Sequence, residues 1–212
     1  MKNFCLKFFD LIIWPFGVLL SGQFSNYVRS IKWSIYVSFA KHRFKKSSNL
    51  KTFGVPFVVV GGKYIELGDN VILGKDCRLE ATDAWRGQTF NPKMIIGDNV
   101  VINPLCHIGC INEVRIGNYV TIGERTYITD HFHGASSYEA LSMPPRHRPL
   151  FSKGKTVIEE CATLGENCAV MSGVTIGAHS VIGANSVVTK DIPPYSIAAG
   201  IPAKVIKTIE PE

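Results

Sequence analysis

The chain has 212 residues, of which 46% are hydrophobic and 19% charged, and it carries a formal net charge of +6. This composition is that of a globular chain with a sizeable core, and it excludes a disordered protein. The six cysteines form no C-x-x-C pair, so we expect small reduced core residues in a cytosolic protein and neither disulfides nor a metal site. Most of the positive excess lies in the N-terminal part. No nucleic-acid-binding motif accompanies it, so we expect no nucleic-acid partner.

Residues 1–60 are predicted to form an N-terminal helical segment. Residues 4–20 are strongly apolar, but two charges and a proline interrupt them, which favours a docked or interfacial helix over a membrane span or a signal peptide. Residues 24–46 combine apolar residues at helical spacing with many basic ones. Two interpretations stay open: a helix that packs on the rest of the protein or on a partner subunit, and a basic amphipathic helix on the inner face of a membrane. The second predicts peripheral membrane contact through residues 1–50.

A period of six residues dominates the chain from residue 61 to residue 195. Leu67, Leu73 and Leu79 are six apart, and residues 158–193 read as six consecutive blocks that each open with Ile, Leu or Val. This period fits neither an amphipathic helix nor an alternating strand. It predicts a solenoid in which three hexapeptides, about 18 residues, make one coil. Each coil buries its faces only against the next one, so several coils are needed.

Two stretches interrupt the six-residue period, and the period ends before a third stretch at the C-terminal end. Residues 80–95 are predicted to form an outward loop. Residues 134–156 are rich in polar residues and proline and predict a long excursion loop, which is usually functional inside a repeat array. Residues 196–212 are predicted to leave the coil as a C-terminal tail.

Three features together resemble a known family: the hexapeptide array, an H-x-H string at the edge of the excursion loop, and the closing string SVVTKDIPPYSIAAGIPAKVIK. Over residues 65–207 they resemble the left-handed β-helix acyltransferases, and more narrowly the sugar O-acetyltransferases of the galactoside, maltose and polysaccharide-biosynthesis type. The resemblance implies an all-β solenoid, a left-handed parallel β-helix with an N-terminal α-helical segment and a long loop excursion. It also implies a homotrimer, acetyl-CoA as the acetyl donor, a carbohydrate acceptor, and active sites shared between subunits.

Acetyl transfer to a hydroxyl needs a general base, and histidine suits that role near neutral pH. The candidates lie in the string DHFHG at residues 130–134. His133 is slightly favoured, because counting in sixes makes it the outward-facing last residue of its block and matches it to the family's catalytic histidine. His131 is the alternative base or a substrate contact, and Asp130 is predicted to orient either imidazole. No third ligand at a regular spacing completes a zinc site, so no metal is expected.

Acceptor contacts are predicted at three positions. Asn103 matches the family's asparagine that contacts the acceptor, although a polar corner residue of the coil is an equally good interpretation. Trp85 and Tyr138, one in each predicted loop, complete the set of substrate-binding candidates. Thr163 replaces an aromatic residue that the galactoside and maltose enzymes use, which argues against those two acceptors.

Small residues at coil turns allow an extended pantetheine arm to lie along the solenoid and to bond with backbone groups. The resemblance adds an A-x-x-x-x-T-K string and two lysines where relatives place basic residues near the phosphates of coenzyme A. The predicted donor-binding residues are Ser172, Gly183, Ala184, Thr189, Lys190, Lys204 and Lys207.

These features predict an acetyl-CoA-dependent O-acetyltransferase that modifies a sugar hydroxyl in surface polysaccharide biosynthesis. The predicted location is the cytoplasm, with the inner face of the membrane as the finer prediction. Two alternatives stay open: a serine or xenobiotic O-acetyltransferase, and a solenoid scaffold without catalysis.

Overall fold

The computed structural model describes residues 22–210, and it begins with helix α1 (Gly22–Ala40). One face of α1 packs on the body of the protein through Tyr36 and Val37. The Tyr36 hydroxyl donates a hydrogen bond to the Phe57 carbonyl at 2.7 Å, and the two rings meet edge-on. Within the described residues, no helix is both long enough and apolar enough to cross a bilayer. The helix predicted over residues 4–20 lies outside the described residues.

The chain after α1 winds through six coils, and each coil contributes one short strand to each of three sheets. Two small hairpins interrupt the coils. In chain order the strands are β1 (Lys46–Ser47), β2 (Lys51–Thr52), β3 (Val58–Val60), β4 (Ile65–Leu67), β5 (Ile72–Leu73), β6 (Arg78–Ala81), β7 (Ala84–Trp85), β8 (Gln88–Thr89), β9 (Lys93–Ile96), β10 (Val101–Ile102), β11 (His107–Cys110), β12 (Glu113–Ile116), β13 (Thr121–Ile122), β14 (Tyr127–Thr129), β15 (Phe132–His133), β16 (Leu150–Phe151), β17 (Thr156–Ile158), β18 (Thr163–Leu164), β19 (Ala169–Val170), β20 (Thr175–Ile176), β21 (Val181–Ile182), β22 (Val187–Val188), β23 (Ser196–Gly200) and β24 (Ala203–Thr208).

The three sheets are the flat sides of the solenoid. The first sheet has the order β1-β4-β9-β12-β17-β20, the second β2-β5-β10-β13-β18-β21-β23-β24, and the third β3-β6-β11-β14-β19-β22. Strands of successive coils pair in parallel and in register, so that the first residues of the hexapeptides stack in columns. One such column, buried throughout, consists of Leu73, Ile102, Ile122, Leu164 and Ile182.

The glycine in the second place of a hexapeptide is required by the close approach of neighbouring coils. A Cβ atom added at Gly123 would lie 2.5 Å from the carbonyl carbon of Gly165 in the next coil. That distance is far inside van der Waals contact, so a side chain there would push the coils apart. The glycine pattern of the sequence therefore reflects the spacing of the coils, and the predicted solenoid is what forms.

The solenoid extends beyond the predicted boundaries at both ends. Strands β1 to β3 form a first coil within residues 46–60, which we assigned to the helical segment. This coil escapes the hexapeptide pattern because Ser47 and Thr52 stand where the next coil has Leu67 and Leu73. At the other end, β23 pairs in parallel with β21 before the chain reverses into β24, so residues 196–200 still continue the second sheet.

Both excursions project beside the third sheet. The first is the hairpin of β7 and β8, within the predicted loop of residues 80–95. The second starts with β15, runs through the short helix α2 (Tyr138–Ser142) and a 3-10 turn (Pro145–His147), and returns as β16. Strands β15 and β16 pair antiparallel, with His133 opposite Leu150. The excursion is therefore an ordered flap that is fastened at its base.

Candidate active site

A cleft of about 400 Å³ lies on the third sheet, where the first four coils meet both excursions. Its floor is formed by strands of that sheet, and the two hairpins rise at one side. The polar and aromatic side chains on its walls are Arg78, Glu80, Thr82, Trp85, His107, Tyr127, His131 and His133. The cleft thus gathers both histidines of the H-x-H string and one of the three predicted acceptor contacts, Trp85.

The carboxylate of Asp130 is fully buried and holds the imidazole of His131. Its oxygens accept hydrogen bonds from the backbone N–H groups of Ile111, at 3.0 and 3.2 Å, and of Asn112, at 2.7 Å. Its Oδ1 atom lies 2.9 Å from Nδ1 of His131. Because a carboxylate only accepts hydrogen bonds, the imidazole hydrogen is on Nδ1. Nε2 of His131 is therefore left with a free lone pair, as a general base requires.

The backbone around His131 explains why the ring lies where it does. Strand β14 ends at Thr129, whose hydroxyl accepts a hydrogen bond from the His131 N–H at 3.2 Å. The ring covers Gly109 of the preceding coil, where an added Cβ atom would lie only 3.2 Å from Cε1 of the ring. Only 13% of the His131 side chain is exposed. A glycine in β11 thus makes the space into which the imidazole fits.

The second histidine of the string has a different environment. His133 lies in β15 and is exposed, and its ring meets the edge of the Trp85 ring at 5.4 Å between centroids. The two imidazole rings are 6.2 Å apart. Among the hydrogen bonds of residues 22–210, the carboxylate of Asp130 pairs with His131 and not with His133. Strand β14 ends at Thr129, so the count in sixes that favours His133 extends beyond the last residue of that strand.

Two side chains of the β7–β8 hairpin, Gln88 and Trp85, form hydrogen bonds with the backbone of the flap. The amide of Gln88 accepts a hydrogen bond from the Leu150 N–H at 2.7 Å and donates one to the Leu150 carbonyl at 3.2 Å. The indole N–H of Trp85 donates to the Arg148 carbonyl at 3.4 Å. Gln88 thus satisfies both backbone groups of a residue directly opposite His133. Sequence reasoning missed Gln88, since nothing in its local pattern marks it.

A second carboxylate–imidazole pair lies beside the first. Oε2 of Glu80 is 2.9 Å from Nε2 of His107, and Oε1 of Glu80 accepts a hydrogen bond from Arg78 at 2.6 Å. Burial raises the pKa of Glu80, but the hydrogen bonds from Arg78 and His107 outweigh it and leave that pKa below its ordinary value. Burial also lowers the pKa of His107, and Glu80 offsets only part of this effect. Near neutral pH, Glu80 is therefore ionised and His107 neutral.

Two predicted acceptor contacts lie outside the cleft of this chain. Asn103 sits at a corner of the coil, where its amide donates a hydrogen bond to the Ile122 carbonyl at 2.8 Å. Tyr138 lies on α2 with 84% of its surface exposed. Within residues 22–210, no group of three His, Cys, Asp or Glu side chains is arranged to hold a metal ion.

The predicted donor-binding residues lie on the later coils, and within the described chain none of them lines the cleft. Ser172 is buried: its hydroxyl donates to the Asp130 carbonyl at 2.5 Å and accepts from the Lys153 N–H at 2.9 Å. Ser172 therefore supports the backbone that carries the Asp130–His131 pair. Gly183 approaches the methyl group of Ala199 closely. The others, with exposed or partly exposed side chains, are Ala184, Thr189, Lys190, Lys204 and Lys207.

The repeat region matches a family model. Residues 155–190 fit the model described as bacterial transferase hexapeptide (six repeats). The chain is also 37% identical over 163 residues to the putative lipopolysaccharide biosynthesis O-acetyl transferase WbbJ of Escherichia coli (strain K12), a match that covers 75% of this chain and 79% of WbbJ. The chain belongs to the hexapeptide-repeat transferase family. The resemblance carried by the hexapeptides and the closing string is thereby confirmed.

Further relatives agree with this assignment. The bifunctional protein GlmU of Thermotoga maritima is 32% identical over 173 residues, but this chain spans only 38% of GlmU. The hexapeptide-repeat acetyltransferase VCA0836 of Vibrio cholerae, solved with acetyl coenzyme A, is 25% identical with a TM-score of 0.55, covering 82% of this chain and 76% of VCA0836. The N-acyltransferase AntD of Bacillus cereus has a TM-score of 0.66 at 20% identity, covering 82% of this chain and 87% of AntD, and shows the fold alone. The predicted left-handed parallel β-helix is confirmed.

Proposed function

We propose that this protein is an acetyl-CoA-dependent O-acetyltransferase that acetylates a sugar hydroxyl in surface polysaccharide biosynthesis. The observation that carries the proposal is the buried Asp130 carboxylate, which fixes the Nδ1–H tautomer of His131 in a polar cleft. The names of two relatives support the two substrates: WbbJ is called a lipopolysaccharide biosynthesis O-acetyl transferase, and VCA0836 was solved with acetyl coenzyme A.

In the proposed mechanism, His131 acts as the general base. Its Nε2 atom removes the proton of the acceptor hydroxyl while the hydroxyl oxygen forms a bond to the acetyl carbonyl carbon. When the tetrahedral intermediate collapses, the carbon–sulfur bond breaks and the imidazolium of His131 returns the proton to the departing thiolate. Asp130 keeps the imidazole in the required tautomer and stabilises its charged form. His133, next to Trp85 at the rim, serves as a substrate contact in this scheme.

The remaining site residues and the oligomeric state are part of the same proposal. Asn103, Tyr138 and the predicted donor-binding residues other than the buried Ser172 lie outside the cleft of a single chain, so they fit a site completed by a neighbouring subunit. A homotrimer, in which each cleft faces the later coils of another copy, would bring them together. Light scattering after size-exclusion chromatography should give three times the mass of one chain, and a monomer would rule out a shared site.

The finer prediction for location is peripheral contact with the inner face of a membrane through residues 1–50. In the described part, α1 leaves Tyr27, Ile35 and Phe39 exposed by 65%, 53% and 75%. Residues 22–51 carry seven lysines and arginines and no acidic residue, which suits an anionic lipid surface. Vesicles containing phosphatidylglycerol, and not pure phosphatidylcholine vesicles, should sediment the protein. Replacing Ile31 and Ile35 together by serine should weaken this binding; unchanged binding would contradict the prediction.

The direct test of the function is the release of free thiol from acetyl-CoA. The acceptor panel contains methyl glycosides of glucose, galactose, mannose and rhamnose and their nucleotide-linked forms, with serine and chloramphenicol as non-sugar acceptors. We expect thiol release only with sugars. Release with serine or chloramphenicol alone would favour the serine or xenobiotic alternative. No release with any acceptor would favour a scaffold without catalysis and contradict the proposal.

A further inference from the structure

We propose that Glu80 and His107, held by Arg78, form a non-catalytic recognition pair that binds the acceptor hydroxyl next to the one being acetylated. The inference rests on the proposed function and names the feature of the acceptor that the cleft selects: a sugar with two adjacent free hydroxyl groups. In the structure, His107 lines the same cleft as His131, the proposed base.

The imidazoles of His131 and His107 border the same open space above Gly109. Both rings stand against Gly109: the position of an added Cβ atom there is 3.2 Å from Cε1 of His131 and 3.9 Å from Nε2 of His107. A small acceptor whose reacting hydroxyl meets Nε2 of His131 therefore has its neighbouring hydroxyls close to the Glu80–His107 pair. The absence of a side chain at Gly109 keeps the space between the two rings open.

The Glu80–His107 pair offers hydrogen-bond acceptors to a ligand in the cleft. Nε2–H of His107 is committed to the ionised Glu80 carboxylate, so the Nδ1 atom of the neutral ring is an acceptor. Each Glu80 oxygen takes part in one described hydrogen bond, to Arg78 or to His107, and a carboxylate oxygen can accept more than one. The pair thus offers acceptor atoms to the cleft, and a ligand must bring donors such as hydroxyl groups.

Neighbouring side chains hold the Glu80–His107 pair in place. The Arg78 side chain fixes one carboxylate oxygen of Glu80 at 2.6 Å, and the His107 ring lies against the ring of Tyr127, with centroids 5.2 Å apart. In the parallel register of the third sheet, Arg78, His107 and Tyr127 are direct neighbours on successive strands. A fixed hydrogen-bond acceptor beside an aromatic ring suits a sugar, because a sugar has both hydroxyl groups that donate hydrogen bonds and apolar C–H faces that pack on a ring.

The chain offers a matched control on another side of the solenoid. Glu113 and Arg115 form the same kind of carboxylate–guanidinium pair, two residues apart on one strand, as Glu80 and Arg78 do. The Glu113 pair lies on the first sheet and outside the cleft. If such a pair contributes only to the surface of a sheet, substituting Glu80 and substituting Glu113 should have the same effect on kcat/KM. If Glu80 recognises the sugar, only its substitution should lower kcat/KM.

The test compares Glu80→Gln, His107→Asn and Glu113→Gln with the unmodified protein, using the methyl and nucleotide-linked sugars of the acceptor panel. Loss of a hydrogen bond to a charged group should lower kcat/KM for sugar acceptors about 10- to 100-fold in the Glu80 variant. The KM for acetyl-CoA and the pH profile of kcat should stay unchanged, because His131 is intact. The Glu113 variant should match the unmodified protein, and thermal unfolding should detect any variant that fails to fold.

Deoxy sugars provide the second arm. For the unmodified protein, an acceptor that lacks the hydroxyl next to the acetylated one should lose as much kcat/KM as the Glu80 substitution removes. In the Glu80→Gln variant the same deoxy sugar should cause little further loss. Unchanged kcat/KM in the Glu80 and His107 variants, or equal further loss with the deoxy sugar, would overturn the recognition pair alone. No thiol release by the unmodified protein with any sugar would overturn the proposed function and the pair with it.

Discussion

Replacing His131 by alanine is expected to lower kcat about 10²- to 10⁴-fold, the usual contribution of a general base. Replacing His133 by alanine is expected to lower kcat by less than about tenfold, because the structure gives Asp130 to His131 and leaves His133 at the rim. The measurement is thiol release from acetyl-CoA at saturating acceptor. Both histidines lie in the same cleft and only two residues apart in the chain, so His133→Ala is a closely matched control.

The two variants together decide which histidine carries the proton. If kcat fell strongly in His133→Ala and only slightly in His131→Ala, the general base would be His133, the histidine that counting in sixes favours. Unchanged release in both variants would remove the proposed mechanism altogether. Thermal unfolding should accompany the assay, since the ring of His131 fills the space above Gly109 and its loss leaves a small cavity.

Replacing Asp130 by asparagine is expected to lower kcat about 10²- to 10³-fold, although the side chain keeps its shape. The asparagine oxygen can still accept from the backbone N–H groups of Ile111 and Asn112, so its NH₂ group would face Nδ1 of His131. The imidazole would then carry its hydrogen on Nε2, and a protonated nitrogen cannot remove the acceptor proton. The KM values for both substrates should change little.

The control for Asp130→Asn is a substitution that removes a contact of the Asp130 backbone and leaves the carboxylate, and with it the His131 tautomer, unchanged. Ser172→Ala removes the hydrogen bond to the Asp130 carbonyl but keeps the Asp130 carboxylate. We expect it to lower the stability and to reduce kcat much less than Asp130→Asn does. Full activity of Asp130→Asn would mean that the tautomer of His131 does not depend on Asp130, and the proposed relay would be wrong.

The repeating part of the fold is predictable because it depends on local pattern. Aliphatic residues six apart, such as Ile102 and Ile108, face the core in every coil. The glycine at position 123 is required because the next coil lies too close for a side chain. The first coil is not predictable in this way, because Ser47 and Thr52 occupy two places that aliphatic residues take in the next coil. The same limit applies at the other end, where β23 joins the second sheet although Pro193 and Pro194 just before it predict that the chain leaves the coil.

The candidate site is predictable only in part, because its pairs depend on register between coils. The H-x-H string identifies the place, but the choice between His131 and His133 depends on where β14 stops. Glu80 and His107 are 27 residues apart in sequence. The β7–β8 hairpin lies between them, so the six-residue period does not show that their two strands are neighbours. Gln88 contacts Leu150 across two excursions, and no local pattern connects them.

The reversal of β23 into β24 sets the length of the solenoid. A coil that ended in parallel strands would present unpaired N–H and C=O groups, onto which a further copy could add strand by strand. Strand β24 instead runs antiparallel along β23 and covers that edge of the second sheet. It carries Lys204 and Lys207 on its exposed surface, and like charges on two such ends repel each other. The terminal strand thus ends the parallel stacking of the second sheet and replaces a parallel edge, which a further coil could extend, with an antiparallel one.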